Sequence, residues 1–295
     1  MTNESLQEAG RAQVLITVKA SPEIGRTHGE TVCVAGLRLD GGAPRWIRLF
    51  PVQWQWFWRS THPKYQVIEL EVARHSSDPR PESHRPRLET ATVIRQVERS
   101  ADRAALLNQL PQPTMCELVA DTGWGRTSLA LVVPVDVSDF TWDDHTGDAE
   151  HERKMMRAAQ GSLLAVDAPQ LELCPFTFRF RYRCADARCN GHHQSIVDWE
   201  ISEAWRRWRQ SYPDDYLTRI RDKWMGLVDP ARKPGFFVGN QKNAPQAYMI
   251  LGVARDIMPV ERSPEDPTPS VAPRRLNGGN DTPPPQSTEG RLFDL

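Results

Sequence analysis

Within ten residues, Cys184-Ala-Asp-Ala-Arg-Cys189-Asn-Gly-His192-His193, the chain places two thiols and two imidazoles around a glycine turn. Thiolates and neutral imidazoles on a short turn form the donor set of a tetrahedral zinc site. Cys184, Cys189 and His192 supply three donors at usable spacing. His193 is the candidate fourth, although neighbours on a strand point opposite ways. Cys174, upstream on the leading strand, and Asp198, just downstream, are the alternatives. One structural zinc is the expected cofactor, set against a metal-free loop in which the thiols simply pack.

What surrounds these donors suggests a polyanion. Phe176-Thr-Phe-Arg-Phe-Arg-Tyr-Arg183 leads in and alternates rings with arginines, and a Trp/Arg-rich helix leads out. Arginine forks onto phosphate, and aromatic rings stack on bases. The expected nucleic-acid contacts are Arg179, Arg181, Arg183, Arg206 and Arg207, with Lys242 on the polar loop Gly239–Asn243. Arg45 and Arg48 add cations from the first half of the chain. Trp54 and Trp56, in an alternating Trp triplet, form either a stacking platform or a core face.

Other reactive side chains read as structural. Asp198 and Glu200 resemble a nuclease acidic pair only on a strand; ahead of a helix, Asp198 is better placed as its N-cap. Cys33, between two valines of a strand, and Cys116, on an apolar helix, read as small buried hydrophobes. The catalytic set is therefore expected to be empty.

The elements that carry these residues are mostly strands. Gln13–Lys19, Thr31–Leu39, Arg45–Phe50, Lys64–Arg74 and Ala91–Val97 are short, β-branched and separated by turn residues, as in a small barrel or sandwich. Helical signals follow: Ser100 precedes good helix formers, and Thr114 with Glu117 forms a capping-box pattern. A buried strand covers 128–134. Beyond residue 141 come an acidic turn and a short helix, then strands at 171–183, 236–238 and 246–253 with two helices between the first and second. From about residue 260 the chain is rich in Pro, Gly, Ser and Asn, which cannot bury enough apolar surface to offset chain entropy. It ends in Arg-Leu292-Phe293-Asp-Leu, a candidate docking plug for a protein partner.

The 295 residues suffice for two domains. Net charge is only −1. Residues 11–99 carry 14 Lys/Arg against 9 Asp/Glu, residues 100–172 carry 5 against 12, and residues 175–235 carry 12 against 8. Two basic regions thus flank an acidic one. No apolar run is long enough for a membrane span. Five cysteines, odd in number and unevenly spread, fit reduced thiols in a cytoplasm.

Four blocks together resemble the dual OB-containing domain family of prokaryotes: Val14–Ala20; Glu30–Gly36 with Trp46–Val52; Cys184–Glu200; and Gly235–Asn240 with Met249–Gly252. The resemblance covers about residues 12–258. It implies two OB-like barrels in tandem, a Cys/His knuckle in the second, nucleic-acid binding and a link to defence loci, and it carries no reaction.

The expected fold is mainly β with inserted helices (α+β). A first OB-like barrel with appended helices spans 12–140 and an acidic connector 141–161. A second OB-like domain with the knuckle spans 162–258, followed by a disordered tail over 259–295. The expected function is nucleic-acid binding without enzymatic activity, in a defence or genome-maintenance system. A metal-dependent nuclease or nucleotide-processing enzyme and a protein–protein adaptor are the alternatives.

Overall fold

The computed structural model describes residues 10–25, 29–53, 56, 63–121, 127–162 and 172–260. Trp54 and the tail with Leu292 and Phe293 lie outside them. The fold is mainly β with several helices. Its strands are β1 (Gly10–Lys19), β2 (Glu23–Gly25), β3 (Gly29–Arg38), β4 (Arg45–Gln53), β5 (Gln66–Arg74), β6 (Ser83–Gln96), β7 (Leu129–Val132), β8 (Pro134–Asp144), β9 (Phe176–Cys184), β10 (His192–Ser195), β11 (Gly235–Asn240) and β12 (Tyr248–Ala254). The helices are α1 (Ser100–Leu107), α2 (Met115–Ala120), α3 (Ala149–Ser162), α4 (Trp199–Ser211) and α5 (Tyr216–Leu227). Among the described residues no helix is long and apolar enough to cross a membrane.

The first half closes on itself. β1 pairs with β5, β5 with β6, β6 with β4, β4 with β3, and β3 with β1 again. Every pairing in this ring is antiparallel except the short parallel contact of β4 with β6. Alternation sends Val14, Ile16, Val32, Val34, Ile47, Leu49, Ile68, Leu70 and Val72 into the ring, where they form one core. β6 runs without a break through Pro86.

The second half is built from two three-stranded sheets, β10–β9–β8 and β12–β11–β7. Only Val133 separates β7 from β8, so one bent segment of chain serves both. The expected domain boundary at residue 140 fails: β7 and β8 pair with β11 and β9 of the second half. Likewise β8 runs on to Asp144, where an acidic turn was expected. Phe178 and Phe180 of β9 and Phe236 of β11 pack with Trp205 and Trp224 of the helices in a second core.

A third core joins the halves. Leu15, Val18, Ala35, Leu37 and Val67 of the first ring meet Leu129, Leu131, Phe237, Leu251 and Ile257 of the second. Strand parity decides this. Ala130, Val132, Phe236 and Val238 face the second core, and their neighbours Leu129, Leu131 and Phe237 face the junction. A register shift between Ile16 and Val18 turns Ile16 inward and Val18 to the junction. Close approach also fixes Gly36: a Cβ there would sit 2.1 Å from the Leu15 carbonyl oxygen. Both walls of this interface are therefore buried on both faces.

Polar contacts cross the same junction. Lys64 donates to Asp198 at 2.8 and 2.9 Å, and Arg80 donates to the Asn240 carbonyl at 2.8 Å. Buried Arg48 donates to the Ser128 carbonyl at 3.0 Å.

Candidate metal centre

Three elements converge on one cluster. Thr114 caps α2 with a full capping box: its hydroxyl accepts from the Glu117 amide at 3.1 Å, and the Glu117 carboxylate accepts from the Thr114 amide at 2.6 Å. Met115 and Leu118 face the second core, and this anchoring holds Cys116 over the end of β9. β9 alternates Phe178, Phe180, Tyr182 and Cys184 inward against Arg181 and Arg183 outward. Cys184 is thus the last inward position of that strand. The chain then turns. The Cys189 amide donates to the Asp186 carbonyl at 3.0 Å, and Gly191, at φ 101°, donates its N–H to Cys189 Sγ at 3.4 Å. The left-handed backbone at Gly191 favours glycine and starts β10, which returns with His192 opposite Tyr182.

Cys116, Cys184, Cys189 and His192 each bring one donor atom, all within 4.8 Å of one another. His192 Nε2 lies 3.3 Å from Cys189 Sγ, 3.4 Å from Cys184 Sγ and 3.6 Å from Cys116 Sγ. Cys184 Sγ lies 3.6 Å from Cys116 Sγ. Zinc with Zn–S bonds of about 2.3 Å and a Zn–N bond of about 2.0 Å spaces its sulfurs about 3.8 Å apart, and sulfur from nitrogen about 3.5 Å. These four separations match that tetrahedron to within about 0.2 Å. Four protein donors make a closed set, the pattern of a structural rather than a catalytic zinc.

The electrostatics agree with that use. Burial pushes the Cys116 thiol up to about 12, helped by the neighbouring thiols of Cys184 and Cys189. Burial also works against a Cys189 thiolate, but backbone N–H groups aimed at its sulfur bring it below its ordinary value. Burial lowers His192, keeping its imidazole neutral and able to donate a lone pair. Thiols crowded this closely raise one another; a dication among them reverses that and takes them as thiolates.

The fourth donor differs from the sequence expectation. His193 is not in the cluster; its Nε2 meets the Thr141 hydroxyl at 2.9 Å on the outer face, because adjacent residues on β10 point opposite ways. Cys116 takes its place, although it read as a buried hydrophobe on a helix. Cys174 lies apart, its thiol pushed up to about 12 by burial. Asp198 is the N-cap of α4, accepting from the Glu200 amide at 3.0 Å, as the capping reading holds.

The expected nucleic-acid contacts scatter. Arg48 is buried and bonded within the chain, reaching Ser128 and Cys33 Sγ, so it cannot meet a ligand from outside. Arg179 pairs with Asp143, and Arg206 and Arg207 share Glu203. Trp56 is partly buried against the first core. The stretch 239–243, expected as a loop, begins inside β11, which runs to Asn240; Asn240 and Gln241 are buried and Lys242 is half-buried. Arg45, Arg181 and Arg183 are exposed. Antiparallel pairing sets Arg181 opposite Asp139 and Arg183 opposite Asp136.

Residues 111–271 match the family model described as Domain of unknown function (DUF8757), and residues 10–109 match a second, Domain of unknown function (DUF8758). The two matches meet ahead of β7. No curated protein matches the chain.

Proposed function

The chain belongs to the family of the Domain of unknown function (DUF8757), and from that premise we propose a non-catalytic nucleic-acid-binding protein: two OB-type barrels fused through a shared core, the second locked by one structural zinc. The ring order supports the barrel assignment. In the first half the five strands run β1–β3–β4–β6–β5 and back to β1, with β4 and β6 parallel. In the second, the β7–β8 segment joins β9, then β10, and a parallel bridge of Ile196 to Ile250 leads to β12, β11 and back to β7. Both orders support a reading as five-stranded Greek-key OB barrels, a fold that takes oligonucleotides and oligosaccharides. The junction covers part of the first barrel's wall, at Leu15, Val18, Ala35, Leu37 and Val67, whereas the second barrel's β8–β9–β10 face carries exposed arginines, which supports it as a face for a polyanion.

One observation carries the reading. The strand that ends in the metal ligand Cys184 is the strand whose outer face presents Arg181 and Arg183. Zinc would supply no chemistry here beyond binding energy; it would fix the end of β9 and hold those guanidiniums at strand spacing. The facing aspartates do not forbid a ligand. Exposed ion pairs are worth about 1 kcal/mol or less, so a phosphate chain can displace them.

The test is fluorescence anisotropy with labelled single- and double-stranded DNA and RNA, between about 50 and 200 mM salt. The expected result is affinity that falls steeply with salt. Absent or salt-independent binding overturns the proposal.

A further inference from the structure

One mouth of the first barrel is lined with cations. The parity that sends Ile47 and Leu49 into the core brings Arg45 to the rim at the start of β4. On β3, Val32 and Val34 are followed on the same face by Gly36 and Arg38, and Arg38 stands opposite Arg45 in the ladder. On β5, Ile68, Leu70 and Val72 are followed by Arg74, opposite His84 of β6. His84 is in turn the parallel partner of Leu49. Four strands therefore deliver Arg38, Arg45, Arg74 and His84 to the same end of one ring.

The charge there is unbalanced. Asp40 stands near this rim, and it is already engaged by Arg38 at 2.7 Å and by the Gln13 amide at 2.9 Å. Glu82, next to His84 in sequence, turns its carboxylate away to the Ser128 hydroxyl and amide. Arg74 donates to the Pro81 carbonyl, and neither it nor Arg45 has an ion-pair partner among the described residues. A carbonyl can only accept, so the 2.9 Å contact of His84 Nδ1 with the Glu82 carbonyl places the proton on Nδ1 and leaves Nε2 to take a second. Burial first, then Arg74, Arg38 and Arg45, hold His84 below its ordinary value.

We propose that this mouth binds a phosphate group, gripped by Arg45 and Arg74 and closed by Arg38 and His84. Guanidinium forks match a tetrahedral oxyanion bidentately, and His84 adds a donor that strengthens as the anion draws in its second proton. The phosphate is either that of a free ion or that of a nucleic-acid backbone. Only this second source rests on the function proposed above.

The test follows the His84 ring by NMR in the full chain, with inorganic phosphate and a single-stranded oligonucleotide as separate probes. Saturable shifts and a raised His84 titration midpoint are expected, with affinity falling about tenfold or more in Arg45→Gln/Arg74→Gln. Arg45 is exposed and Arg74 half-buried at the rim, so the variant should keep its melting temperature; the single Arg45→Gln variant serves if it does not. A response to oligonucleotide at far lower concentration than to inorganic phosphate identifies the nucleic-acid backbone as the source. A His84 ring unmoved by both probes, or equally responsive in the variants, overturns the proposal. Oligonucleotide binding with a His84 ring that neither probe moves overturns this inference alone. Phosphate binding here without oligonucleotide binding overturns only the function proposed above.

Discussion

Cys116 Sγ lies 3.6 Å from Cys184 Sγ, across 68 positions of sequence. This contact ties α2, the first helix after the junction of the two family matches, to the last inward residue of β9. With a metal between them the two become one mechanical unit. Cys116→Ser is expected to cost about 4 kcal/mol, the range reached when a structural metal is lost. A strong zinc chelator should lower the melting temperature of the wild type and leave Cys116→Ser unmoved. Equal melting curves for the two proteins would count against the site.

Lys64 and Asp198 make the second long-range tie, this time between the two halves of the chain. Asp198 is buried, Lys64 nearly so, and Glu200 adds a further contact at 3.3 Å. Burial opposes the ammonium, but the two carboxylates hold Lys64 charged, above its ordinary range. Removing one partner strands a buried charge. Lys64→Met should cost about 3–5 kcal/mol. Adding Asp198→Asn, which keeps an N-cap acceptor for α4, should recover most of that loss. Urea unfolding of the singles and the double gives the coupling, and additive losses would contradict it.

Lys19 sets a pH dependence. Burial, and then the neighbouring Lys64 ammonium, bring it down to about 8 despite Glu200. Below that pH the side chain is charged in both states, and the folded protein bears the cost. Between about 8 and 10.5 the folded chain has lost the proton that the unfolded chain keeps, so stability rises with pH across that window. The stability difference between wild type and Lys19→Met should therefore shrink from pH 7 to pH 10. A constant difference would show that Lys19 titrates normally.

Local pattern made much of this fold legible. The strands at 13–19, 31–39, 45–50 and 64–74 fall where alternation and turn residues place them, and Thr114 and Asp198 cap the helices they precede. Three knuckle donors were visible because they lie within nine residues. Cys116 was not, because its role depends on a contact that only the packing of α2 creates. Its one local signal is the capping box, which starts a helix at Thr114 and fixes the direction of its first turn. Charge was misread for a similar reason. Regional sums separate an acidic stretch from a basic one, but antiparallel pairing of β8 with β9 interleaves them residue by residue. Arg48 looks like a surface cation by type, yet on β4 it has the parity of the junction face and is buried at 2% exposure.

Arg181 and Arg183 remain as outward cations of β9, and their replacement tests the proposed polyanion face directly. Arg181→Gln/Arg183→Gln should leave stability within about 0.5 kcal/mol, since both are exposed. If each holds one phosphate, the slope of log affinity against log salt should fall by about 1.4–1.8 in total. An unchanged slope would place the ligand elsewhere.

The most direct test of the metal centre is zinc content by elemental analysis of purified wild type, Cys116→Ser and His193→Ala. The account predicts about one zinc per chain in the wild type and in His193→Ala, and a large loss in Cys116→Ser. A wild type without zinc, or zinc that depends on His193 and not on Cys116, would contradict it.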